Sequence, residues 1–159
     1  MATVSPDWVY TLSLPHDPRA PRIARTTVRS VLGCHGLSGL ADTAELLTSE
    51  LVTNAYRHTD GPSSLRLRGT GGRLRVSVWD TEPAIPSPFD RPPCPVTRAL
   101  PAQPDADSDG GRGLQIVRHC ADSWGAYRLG EDLFGASGKL LWFELGPAGS
   151  PQHAFAVAA

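Results

Sequence analysis

Ser49-Glu50-Leu51-Val52-Thr53-Asn54-Ala55-Tyr56-Arg57-His58 closes the longest helical pattern in the chain. The pattern starts near Leu40, and no glycine or proline interrupts it before Asp60-Gly61-Pro62. Asp42 or Thr43 is placed to cap its start. Leu47, Leu51 and Ala55 recur at every fourth position, which gives one apolar stripe. Glu50 and Asn54 are also four apart, so they project from one side of the helix, and His58 follows a turn later. An amide oxygen can coordinate Mg²⁺, a hard cation that takes oxygen ligands. A carboxylate beside it can accept a proton from an incoming hydroxyl. The pair alone says little, because Glu and Asn on a helix usually face solvent.

Working outward, Trp8 to Leu14 alternates and holds β-formers, so it reads as a first strand ended by Pro15. Asp17, Pro18 and Pro21 punctuate the start of a helix that runs from about Arg22 to Leu32. Ile23, Thr27 and Val31 form one stripe of it and Arg22, Arg25 and Arg29 another. The arginine stripe reads as a solvated face, with a docking surface for an acidic partner as the sharper alternative. Downstream of the long helix, LRLR (65–68), the glycines from Gly69 to Gly72 and RLRVSVWD (73–80) make an antiparallel hairpin. Its inward face would carry Leu65, Leu67, Leu74, Val76 and Val78.

Residues 81–109 hold eight of the fifteen prolines and no periodicity, the pattern of a functional lid or an unstructured insertion. Asp80 stands where the hairpin opens into it, and an aspartate there can accept a hydrogen bond from an exocyclic amine. Its plainer role is a turn-forming strand exit. Gly111-Arg112-Gly113 then opens a helix whose stripe is Leu114, Val117 and Ala121. Glycines let backbone approach phosphates, a helix N-terminus favours anions, and Arg112 adds charge. Ile116 stands where a dinucleotide fingerprint needs its third glycine, and Gly138-Lys139-Leu140 lacks the Ser or Thr of a Walker loop. Residues 126–129 and 139–145 read as closing strands, and the tail from Gly146 as disordered. The expected architecture is α+β: a two-layer sandwich with helices on one face of a mixed, mostly antiparallel sheet.

Composition narrows the function. The 159 residues are 40% hydrophobic and 19% charged with a net charge of −1, which suits one globular domain and offers no basic footprint for nucleic acid. Apolar runs are too short to cross a bilayer, and the first ten residues lack the pattern of a leader. Cys34, Cys94 and Cys120 show no CxxC spacing and fit a reducing cytoplasm. Cys34-His35 and His119-Cys120 read as small buried thiols beside unrelated histidines rather than a zinc site. Lys139, the one lysine beside fourteen arginines, reads as the coding bias of a GC-rich genome.

Three segments taken together carry a resemblance. SELVTNAYRH (49–58) looks like the N-box of the GHKL superfamily of gyrase, Hsp90, histidine kinases and MutL. VWDTEP (78–83) sits where the first glycine box belongs, and GRGLQIV (111–117) looks like the second. The closing ADSWG (121–125) and GKLLWFEL (138–145) resemble the short anti-sigma branch of RsbW-like serine kinases. The resemblance covers residues 8–145 and implies a Bergerat, or histidine-kinase-like ATPase, fold with 81–109 as the ATP lid. It implies ATP and Mg²⁺ as cofactors. Asn54 would bind the metal, Glu50 would be the general base, and Asp80 would accept from the adenine amine. Gly111, Arg112 and Gly113 would hold phosphates, and Leu114 would join them in binding the cofactor. It implies a sigma factor and an anti-anti-sigma (STAS-domain) protein as partners, and a homodimer. A non-catalytic nucleotide-binding module acting by protein contact is the alternative. Two positions depart from the pattern: Glu82 fills the glycine position of the first box, and Leu140 replaces a threonine common on the closing strand.

Overall fold

The computed structural model describes residues 6–91, 111–130 and 137–147. Its elements are β1 (Trp8–Leu14), α1 (Ala20–Cys34), a 3-10 turn (Ser38–Leu40), α2 (Ala41–His58), β2 (Ser63–Thr70), β3 (Arg73–Asp80), α3 (Gly111–Cys120), β4 (Ser123–Leu129) and β5 (Gly138–Leu145). The strands form one five-stranded sheet in the order β1-β2-β3-β5-β4. Every neighbouring pair is antiparallel, so the described sheet has no parallel component where a mixed one was expected. The α+β architecture, with helices against a sheet, is as expected.

Register explains the burial. Leu65 pairs with Val78 and Leu67 with Val76 across β2 and β3. Val76 then pairs with Phe143 and Val78 with Leu141 across β3 and β5. All six side chains are buried on one face, as the alternating pattern predicts. The next residues along these strands, Arg66, Arg68 and Arg75, lie on the other face, where Arg75 stacks over the Trp142 ring at 4.2 Å. The hairpin turn itself is Gly71-Gly72, both at positive φ, the two-residue geometry that glycine permits. Gly69 is not in the turn. It lies within β2, where a Cβ would fall 2.2 Å from the Trp8 ring.

Helix α2 is the middle helix: it packs against α1 and α3 and lies over β2, β3 and β5. Its buried stripe includes Leu47, Leu51 and Ala55 as predicted. Its start differs from expectation. The 3-10 turn runs directly into it, Leu40 takes the N-cap position, and no side chain caps it. Asp42 lies inside the first turn and accepts instead from Arg29 of α1 at 2.5 Å, with Glu45 accepting from the same guanidinium. Arg29 holds the Glu45 carboxyl below its ordinary range, and Glu45 raises Arg29 in return. One member of the α1 arginine stripe is thus an internal clasp. Arg22 and Arg25 remain exposed.

The core face of α1 is Ala20, Ala24, Val28 and Leu32. Ile23 is 47% exposed, whereas Val31 of the same stripe is half-buried against the core. Ala20 and Ala24 are small, yet both are buried. Cys34 and Cys120 end α1 and α3 exposed rather than buried. Beyond β3 the first part of the expected lid is tied down. Phe89 is buried and meets Trp124 edge-on at 5.0 Å, and Arg118 donates to the Pro88 carbonyl while lying over the same indole. Burial is the main influence lowering Arg118 from its ordinary value. Residues 92–109 of the expected lid and most of the expected tail lie outside the described residues, although Gly146 donates to Asp122 at 2.6 Å.

Candidate functional site

A cleft of about 280 Å³ opens between the C-terminal half of α2 and the start of α3. Glu50, Thr53, Asn54, Arg57 and His58 form one wall, and Arg112, Gly113, Leu114 and Ile116 the other. The placement follows from helix phase. With Leu47, Leu51 and Ala55 turned to the sheet, the side carrying Glu50 and Asn54 is turned to α3 rather than to water. Leu114 and Val117 anchor α3 in the core, which holds its first turn against α2.

Two features of the cleft bear on ligand chemistry. Gly113 lies so near Glu50 that a Cβ there would fall 1.9 Å from Glu50 Oε2. Glycine at 113 therefore leaves the space that the carboxylate occupies. Asn54 is buried, and its Oδ1 has no hydrogen-bond partner among the described residues. An acceptor left unmatched beside a carboxylate costs free energy unless a cation or donor arrives. The amide oxygen of Asn54 and the carboxylate of Glu50 are hard donors of the kind Mg²⁺ takes. Opposite them, Arg112 is exposed at the first turn of α3, where helix N–H groups favour an anion.

Glu50, Asn54, Arg112, Gly113 and Leu114 are thus brought together, and Gly111 begins the helix beside them. Asp80 is not part of this lining. It ends β3, is 1% exposed, and Oδ1 accepts from Lys139 Nζ at 2.9 Å and from the Glu82 N–H at 2.9 Å. Lys139 is equally buried and also donates to the Glu82 carbonyl at 3.3 Å. Coding bias is therefore an insufficient account of the lysine: it neutralises a buried carboxylate, which burial would otherwise make very costly. Glu82, at the departed glycine position, accepts from the Ala84 N–H at 3.0 Å and so shapes the turn leaving β3. Thr53, Arg57 and Ile116 are cleft residues that sequence reasoning passed over. Thr53 and Arg57 follow Glu50 and Asn54 by one turn each, the one signal that pointed to them.

A family model for the histidine kinase-like ATPase domain matches residues 14–142, well over half of the chain. The chain belongs to this family. Comparison with curated proteins gives no match. The family match runs from the last residue of β1 into β5 and so contains both cleft walls and the Asp80–Lys139 pair. The ATPase domain is of a type that binds ATP, usually with Mg²⁺. The cleft residues fit such a group, since the unmatched Asn54 oxygen, the Glu50 carboxylate and the start of α3 converge there. Asp80, the expected acceptor for the adenine amine, is already engaged by Lys139. No helix among the described residues is long and apolar enough to cross a membrane.

Proposed function

We propose that this ATPase domain binds Mg-ATP and is a cytoplasmic protein serine/threonine kinase that phosphorylates an anti-anti-sigma (STAS-domain) protein and, in its other partner state, sequesters a sigma factor. The observation that carries the reading is the shared wall of Glu50 and Asn54 facing the glycine-opened start of α3, with Glu50 seated against Gly113. Asn54 Oδ1 would hold the metal, and Arg112 with the first N–H groups of α3 would hold phosphate oxygens. Bound Mg²⁺ would neutralise phosphate charge. Glu50 would orient the acceptor hydroxyl and take its proton, leaving the side-chain oxygen free to attack. Arg22 and Arg25, exposed on α1, are the basic surface offered to an acidic partner. The homodimer implied by the resemblance belongs to the same proposal.

The test is labelled ATP with host anti-anti-sigma proteins, run beside nucleotide binding. Glu50→Gln should keep ATP affinity and lose about 10²–10⁴-fold in transfer, the usual share of a general base. Asn54→Ala should instead weaken Mg-dependent ATP binding. Wild-type protein that binds ATP and labels none of these proteins defeats the kinase reading. A non-catalytic regulatory module is then the better account, and the engagement of Asp80 by Lys139 already favours weak nucleotide use of that kind.

A further inference from the structure

Lys139 is the only lysine in the chain, and it is among the largest side chains that the fold removes completely from water. Its ammonium bridges Asp80 Oδ1 at 2.9 Å and the Glu82 carbonyl at 3.3 Å, so it fastens β5 both to the end of β3 and to the first residues beyond it. Gly138 tightens the arrangement, since a Cβ there would fall 2.1 Å from the Asp80 carbonyl oxygen. Asp80 Oδ1 thus accepts two hydrogen bonds while the residue is 1% exposed. An exocyclic amine cannot take the place at Asp80 Oδ1 unless one of these partners moves. Asp80 is paired within the sheet and the Glu82 N–H is backbone. The group free to swing is the lysine ammonium on its flexible four-carbon stem.

We propose that Lys139 is an internal competitor for the base end of the nucleotide site: it occupies Asp80 Oδ1, and a base that uses that oxygen must displace it. The inference rests on the nucleotide-binding reading above and deepens it. A neutral amine is a weaker partner for a carboxylate than an ammonium, so the base gains less from Asp80 than it would from an unpaired aspartate. Apparent affinity falls by the fraction of molecules in which Asp80 is released. If that fraction is about 1–10%, ATP binds about 10- to 100-fold more weakly than it would to a chain whose Lys139 is already withdrawn from Asp80. The lysine thereby sets how much of the binding comes from the base.

A single lysine makes the test direct. Lysine-selective ¹³C and ¹⁵N labelling of the whole chain gives one side-chain signal. In the free protein its Nζ protons should exchange slowly. Saturating Mg-ATP should shift the signal and remove that protection, while Mg-tripolyphosphate, which has no base, should leave it in place. Calorimetry on Lys139→Met, similar in length but uncharged, should show ATP bound about 10- to 100-fold more tightly than by the wild type, with tripolyphosphate affinity unchanged. If the variant does not fold, the labelled wild type still decides. A Lys139 signal unmoved by saturating ATP overturns the proposal, as does a Met variant that binds ATP no better or worse. Tripolyphosphate binding with Lys139 indifferent to ATP sinks this inference and leaves the phosphate end standing. Failure of both ligands to bind removes the nucleotide reading and this inference with it.

Discussion

Replacing Gly113 with alanine separates what that glycine does for the helix from what it does for the site. In most exposed helix positions the change gains about 0.5–1 kcal/mol, because glycine loses more backbone entropy on folding. Here the new Cβ would fall 1.9 Å from Glu50 Oε2 and 2.8 Å from its Cδ, while Glu50 Cβ is 3.4 Å away. The clash is with the far end of a flexible side chain, so Glu50 should rotate rather than α3 shift. Leaving a preferred rotamer costs about 0.5–1.5 kcal/mol. The two terms nearly cancel, and Gly113→Ala should stay within about 1 kcal/mol of the wild type, a few degrees in Tm at most. Glu50→Ala removes the obstacle, so adding Gly113→Ala to it should recover the full helix gain. Urea denaturation of the four proteins should therefore show a coupling of about 0.5–1.5 kcal/mol. Additive effects would refute the close approach. Under the kinase reading, Gly113→Ala should also lose phosphoryl transfer much as Glu50→Gln does, with little change in stability.

Phe89→Ala should destabilise by about 3–5 kcal/mol, as for a buried aromatic, and should raise hydrogen exchange over residues 85–91. Unchanged exchange there would mean that Trp124 does not hold the lid root. Acid should loosen the clasp between α1 and α2. Because Arg29 lowers the Glu45 pKa in the fold, the contribution is present above the unfolded carboxyl value of about 4.3 and is lost as pH falls through the folded value. Arg29 is exposed, so the loss should be small, and Glu45→Gln should flatten that part of the stability–pH curve in urea titrations. An equal slope in wild type and variant would remove the clasp from the account.

The sheet was legible because its strands obey a two-residue period with one covered face. Leu65, Leu67, Leu74, Val76 and Val78 declare that face in the sequence, and each is buried. The α1 interface was less legible. Its buried residues begin with Ala20 and Ala24, which carry little hydrophobic signal, whereas Ile23 draws attention to a side that proves exposed. A small residue that is buried looks the same in a sequence as a small residue on a surface. The walls of the cleft were legible as spacing, because Glu50 and Asn54 must share a side once the Leu47–Leu51–Ala55 stripe is assigned.

Lys139 was beyond that kind of reasoning. Periodicity places it on β5 next to Leu140 and Leu141, but no local pattern marks a lysine as buried, and lysine almost never is without a partner. Its partner is 59 residues away in sequence, brought opposite by the register in which Asp80 pairs with Lys139 across β3 and β5. That register is fixed by the apolar ladder further along the same strands, Val76 with Phe143 and Val78 with Leu141. A slip of one residue would turn those side chains to the open face. The same hydrophobic alignment that builds the core therefore delivers an ammonium to the carboxylate at the strand end. The Asp80–Lys139 pair and core packing are coupled through β5, and a substitution in the ladder that shifted β5 would loosen the pair without replacing a residue of the cleft between α2 and α3.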